Sequence, residues 1–324
     1  MKHTTFFYLV ATAFVLVGAT ACSSGDDGDE QANPTPTNPT ERKLVIGASA
    51  NPWLDENGNA RETRGAVITT ETLKNFTINF WLYSDKTFFG VSRVGNDINN
   101  SWIPTPKESE SVTHWPNIGN DTSISFYAHT AGTCNKDDSG NYYVAFRGEE
   151  ASGFQHDLLL SKITNVTYNG TGGVIWFTFD HACAAVEFNI QITNKLKKEK
   201  NIESLTVNSV ALKNIANTGD CYYSTGSGNQ WKNVGDLSDS SDQKGYTNYT
   251  LTTGALTVTT TPQSLPCNTM FVIPQTLRED AGVEIKYTLP SQAKKDTIIS
   301  LAGTEWEAGH LYPINIVLGT TLIK

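Results

Sequence analysis

Residues Val186–Ile192 read VEFNIQI, with Val186, Phe188, Ile190 and Ile192 separated by Glu187, Asn189 and Gln191. A side-chain period of two puts the apolar groups on one face of an extended chain and the polar groups on the other. The stretch is therefore a half-buried strand, and its pattern recurs. Phe76, Ile78, Phe80 and Leu82 alternate through FTINFWLY, and SISFYAH, VIWFTFD, SLTVNSVAL, MFVIPQ, VEIKYTL and PINIVL read as further strands. The runs between them, such as NKDDSGN, NGTGG and DLSDSSDQKG, are dense in turn formers. An all-β chain of 324 residues is long enough for two sandwich domains. The glycines at 170, 172 and 173 in NVTYNGTGGV mark the boundary, giving folded parts at 43–171 and 172–324. FQHDLLLSKI, Phe154–Ile163, lacks alternation and predicts a short helix or a buried connector. No short repeat is present, which argues against solenoids and propellers.

Charge and chemistry exclude several functions. With 24 basic and 33 acidic residues the net charge is -9, which repels nucleic-acid phosphates, so no nucleic-acid partner is expected. The six histidines, His3, His114, His129, His156, His181 and His310, show no zinc-site spacing. His114 and His181, beside Trp115 and Asp180, read as structural. No phosphate-binding loop, nucleophile elbow or dinucleotide fingerprint occurs, so no catalytic residue, cofactor or metal is predicted. Asn135, Asp137, Ser139 and Gly140 mimic the start of a calcium loop, but its twelfth position is Phe146 in place of a bidentate Glu, so a hairpin turn is expected.

The N-terminus gives an address. Lys2 precedes Phe6–Ala21, an uncharged apolar run, so residues 1–21 form an export signal. ATAC, Ala19–Cys22, resembles a bacterial lipobox, which implies that Cys22 carries fatty acyl chains such as palmitate and becomes the new N-terminus. Asp26, Asp27, Asp29 and Glu30 follow, and this acidic patch resembles the surface-export signal of Bacteroidota lipoproteins. Through QANPTPTNPTER, residues 22–42 make an extended acidic and Pro/Thr-rich tether from the outer membrane.

Several segments in order resemble the fimbrillin-like lipoproteins, relatives of type V pilus subunits. They are TRGAVITTETLKNFTINFWLY, HWPNIGNDTSISFYAHT, QHDLLLSKI, VIWFTFDHACAAVEFNI, FVIPQ and WEAGHLYPINIVL. The resemblance implies two tandem transthyretin-like β-sandwich domains, no enzyme activity, and polymerisation or adhesion at the cell surface. It further implies that a protease cutting after an arginine removes the lipidated segment with its first strand, and that a strand from another subunit fills the groove. On this chain the first strand is KLVIGAS, Lys43–Ser49. Arg64 is the preferred cleavage point, Arg61 the second, and Arg42 a weaker one that would leave the strand in place. The donor would be the C-terminal Leu311–Lys324. Expected partners are other fimbrial subunits and a host or bacterial surface ligand.

The cysteines beyond Cys22 are Cys134, Cys183, Cys221 and Cys267; Cys221 with Cys267 is the candidate disulfide, while Cys183 reads as a buried thiol. Trp81, Trp176 and Trp306 fall in or beside strands, whereas Trp53 and Trp102 stand next to loop residues. Those two are the candidate sugar-stacking platforms of an alternative reading, a surface glycan-binding lipoprotein.

Overall fold

The computed structural model describes residues 42–61, 69, 72–82, 88–96, 102–105, 114–115, 122–148, 156–223, 230–235, 245–265 and 269–320. Strands predominate among them, and the helices Tyr168–Thr171 and Asn194–Lys200 are short. Seven strands close into a barrel, in the spatial order Val45–Ala50, Val174–His181, Leu159–Val166, Ile124–His129, Asn75–Leu82, Phe88–Asn96, Trp102–Thr105 and back to the first. Phe76, Ile78 and Phe80 point inward as their alternation requires, sharing a core with Ile124, Phe126, Ile175, Phe177 and Phe179. Where the strand pattern predicts a sandwich, this part is a closed barrel. The difference is made by Val45–Ala50, which hydrogen-bonds to strands on both flanks.

Sheet membership changes between His181 and Ala184. Ala184–Ile192, which contains VEFNIQI, pairs in parallel with Leu311–Leu318 and antiparallel with Met270–Val272 and Gln263–Ser264. Tyr246–Val258, Leu205–Ala216, Gly282–Thr288 and Lys294–Ser300 form another sheet. Val186, Phe188, Ile190 and Ile192 are buried in one core with Val207, Leu212, Val283 and Ile285 of that sheet. A further sheet combines Thr133–Lys136 and Tyr142–Arg147 with Thr218–Tyr222 and Gln230–Lys232. It backs on an aromatic core containing Trp53, Tyr127, Tyr142, Tyr223 and Phe271.

Leu158, Leu159 and Leu160 lead into an extended strand, not a helix. Leu159 belongs to the barrel core, whereas Leu158 and Leu160 belong to the aromatic core on the other side. A strand buried on both faces has no polar alternation to reveal it. The hairpin expected at NKDDSGN is present: Asp137 accepts from the Asn141 amide at 2.8 Å, and Gly140 turns the chain with φ 84°.

Candidate functional site

The first strand fills the last gap in the barrel. Val45–Ala50 pairs in parallel with Val174–Phe179 at every position, from Val45 opposite Val174 to Ala50 opposite Phe179. On its other flank a single pair, Ile46 with Trp102, joins it to Trp102–Thr105. Leu44, Ile46 and Ala48 are buried in the barrel core. Burying a Leu or Ile side chain contributes about 1.5–3 kcal/mol, so the inward face and one edge supply most of the hold. On the outer face, Gly47 lies under the indole of Trp176. A Cβ at Gly47 would overlap Cε3, Cζ3 and Cδ2 of that ring. Trp176 Nε1 donates to Ser49 Oγ at 3.3 Å, although the side chain is 59% exposed. An exposed tryptophan thus lies like a flap across the strand.

The end of the strand is pinned by a polar cluster that runs from exposed Asn51 and Asp180 to buried His181 and Asp157. Asn51 N donates to Phe179 O at 2.8 Å, and Asn51 Nδ2 donates to Asp180 Oδ1 at 2.6 Å. His181 Nε2 donates to Asn51 O at 2.9 Å, while Nδ1 meets Asp157 Oδ2 at 2.8 Å. Burial pushes the Asp157 carboxyl above its ordinary value, opposed by the charge and hydrogen bond of His181. Trp53 stacks on His181 with ring centroids 4.0 Å apart. The Leu54 amide then donates to Gly309 O at 2.9 Å.

The candidate processing residues differ in access. Arg61 is exposed, in a two-residue strand that pairs with Trp53–Leu54. Arg64 and Cys22 lie outside the described residues. Arg42 is buried, with its guanidinium 5.4 Å from the Tyr168 ring centre and its carbonyl accepting from Trp115 N at 2.8 Å. Cys221 is a free, fully buried thiol in the aromatic core with Cys183; its candidate partner Cys267 lies outside the described residues. Burial pushes the Cys134 thiol up to about 12 and raises Cys183 and Cys221 as well, so none is a ready nucleophile.

Trp53, one of the two candidate sugar platforms of the alternative reading, offers no open face, because it is 1% exposed and its ring stacks on His181 and Phe271. Trp102 is half-buried against Phe76. His181 is structural as expected, but its partner is Asp157 and not the adjacent Asp180. Sequence reasoning passed over Asp157 and the contact of Trp176 with Gly47. The outward place of Trp176 in the alternation of VIWFTFDH was the available signal for the latter.

A barrel closed by its most N-terminal described strand, followed by several further sheets, defines a mostly β fold. The chain belongs to the fimbrillin-like family, whose model matches residues 63–324; the first strand lies ahead of that match. Similar folds occur in a fimbrial protein from Bacteroides vulgatus, with TM-score 0.51, 13% identity, and coverage of 87% of this chain and 96% of that one. A candidate cell adhesion protein from Bacteroides ovatus gives TM-score 0.50 at 14% identity, covering 85% and 91%. One from Parabacteroides distasonis gives 0.51 at 10% identity, covering 86% and 88%. No curated protein matches the chain.

Proposed function

We propose that this chain is a cell-surface fimbrial subunit or adhesin-type lipoprotein, exported by residues 1–21 and anchored to the outer membrane through acylated Cys22. Residues 22–42 act as its tether, and two transthyretin-like units, 43–171 and 172–324, form its body, the second lending Val174–His181 to the barrel. Assembly proceeds by donor-strand addition. Cleavage at Arg64, or at Arg61, releases the first strand, and the C-terminal segment Leu311–Lys324 of the same or a related subunit takes its place. Polymerised subunits, or a tip subunit, then meet a ligand on a host or bacterial surface.

The observation that carries this reading is the position of Val45–Ala50. It is a terminal strand that closes a barrel, paired along one flank and barely along the other. Its loss leaves a row of unpaired backbone groups along Val174–Phe179, a freed pair at Trp102 and an apolar slot, the requirements for strand addition. The exposed stretch around Arg61 is where a protease meets the backbone.

An arginine-specific protease added to the purified full-length protein should release a discrete N-terminal fragment and start concentration-dependent polymerisation. Arg64→Ala with Arg61→Ala should prevent both, and Cys22→Ser should abolish palmitate labelling and membrane retention. Absence of polymers after complete trimming, with saturable polysaccharide binding in their place, would overturn the assembly reading in favour of a glycan-binding lipoprotein.

A further inference from the structure

The groove occupied by the first strand carries a side chain that chooses its occupant. Gly47 stands directly opposite Trp176 in the parallel register, and the indole occupies the space that any Cβ at this position would need. Two residues on, the same indole donates to the hydroxyl of Ser49. The slot therefore asks for an apolar residue inward, then glycine under the ring, then a small residue inward, then a hydroxyl.

That order occurs a second time in the chain. Val317-Leu318-Gly319-Thr320-Thr321 matches Val45-Ile46-Gly47-Ala48-Ser49 position by position, and Ile316 corresponds to Leu44. In this register Ile316 and Leu318 would fill the inward places of Leu44 and Ile46. Gly319 would pass beneath Trp176, and the Thr321 hydroxyl would meet its Nε1. Thr320 in place of Ala48 is the departure, bringing a methyl and a hydroxyl inward.

Among the described residues, nothing beside Gly319, which directly follows the strand Leu311–Leu318, demands glycine. An added Cβ there would sit 3.5 Å from Thr193 Cγ2, an ordinary contact, and the backbone is not left-handed. An added Cβ thus makes an ordinary contact at Gly319, whereas at the first-strand position it displaces the Trp176 ring.

We infer that Trp176 sets the register and selects the strand admitted to the first-strand position, accepting one with glycine opposite its ring, and that Val317–Thr321 of a second copy of this chain is such a strand. The inference rests on the strand replacement proposed above and adds to it a specificity-determining residue and a self-complementary partner.

The test uses the full-length protein treated with an arginine-specific protease in the presence of labelled peptides. One spans Lys43–Asn51, another Asn315–Lys324, and each is also made with alanine for its glycine. Both glycine peptides should bind, the alanine forms about tenfold more weakly, as expected for one methyl forced into an occupied space. Trp176→Ala protein should bind all four alike; Trp176→Phe serves as a second variant that keeps a ring over the strand. Full-length Gly319→Ala should keep its Tm as a monomer yet lose polymerisation. If the Lys43–Asn51 peptide binds equally with glycine or alanine, the selection by Trp176 is overturned while strand replacement stands. If that peptide binds selectively and the C-terminal one does not, the self-complementary partner is overturned. Failure of cleavage, or of the chain's own first-strand peptide to rebind, overturns strand replacement itself.

Discussion

Val45–Ala50 and Leu311–Leu318 stand near opposite ends of the described chain and make the same kind of contact. The first lies parallel to Val174–Phe179, the second parallel to Ala185–Ile192, and those two acceptor strands follow one another in sequence. Each terminal strand turns alternate side chains into a core, and each leaves a valine on its outer face, Val45 at 51% exposure and Val317 at 41%. They differ in what lies on the other flank. The first strand is bonded on both sides and roofed by Trp176. Among the described residues the last pairs with one strand, Ala184–Ile192, and is an edge strand. Withdrawing the first strand frees backbone donors and acceptors along Val174–Phe179 and at Trp102 and opens the barrel core, whereas withdrawing the last strand frees one edge of its sheet. The N-terminal strand therefore leaves the stronger acceptor behind, and the C-terminal strand detaches with the smaller disturbance.

The largest expected break in this comparison comes from the pin at the end of the first strand. Asp157→Ala leaves His181 Nδ1 buried without its partner and should destabilise the protein by about 3–5 kcal/mol in urea unfolding. Loss of one side of this pair should also loosen Asn51, the residue that ends the first strand's pairing. The pH dependence has a defined sign. Because burial raises the Asp157 pKa on folding, its contribution is fully present below the ordinary value of 3.8 and is lost as pH rises through the folded pKa. Asp157→Asn, which does not titrate, should flatten that part of the curve of stability against pH. An unchanged curve would remove Asp157 from the account.

Next in size are two cavities, one in each terminal strand. Ile46→Ala and Leu318→Ala remove side chains that are 7% and 0% exposed, and each should cost about 2–5 kcal/mol. Hydrogen exchange should separate them. Ile46→Ala should lower protection in Val174–Phe179 and at Trp102, and Leu318→Ala in Ala185–Ile192. Equal loss of protection in both places would show that the two strands are not independent.

The half-buried strands were legible because one face meets water. VEFNIQI and FTINFWLY alternate and lie in or overlap strands, whereas KLVIGAS, with Leu44, Val45 and Ile46 in a row, was legible as a strand only through the family resemblance. The Leu158–Leu160 run was not legible, since both of its faces are covered by apolar cores and nothing polar interrupts it. Trp53 reads as a loop residue, yet its short strand folds back onto Phe271 and His181, which only tertiary packing brings together. The Asp157–His181 pair joins a residue just ahead of the strand Leu159–Val166 to the last residue of Val174–His181 and has no sequence spacing to announce it. Closure of the barrel was equally hidden, because it depends on a strand far upstream reaching both free edges.

The smallest effect makes the finest distinction. Gly47→Ala and Gly319→Ala add the same methyl group to segments of similar residue order, one within a strand and one directly after Leu311–Leu318. At Gly47 it displaces the Trp176 ring, which is exposed enough to swing into solvent but loses its packing and its bond to Ser49, so the cost should be about 1–3 kcal/mol. At Gly319 it meets Thr193 at contact distance, so stability should change by no more than about 0.5 kcal/mol. The cause is checked by repeating Gly47→Ala in a Trp176→Ala background, where the methyl group has nothing to displace and should cost almost nothing. A Gly47→Ala penalty that survives the loss of Trp176 would mean that strand geometry, and not the indole, demands the glycine.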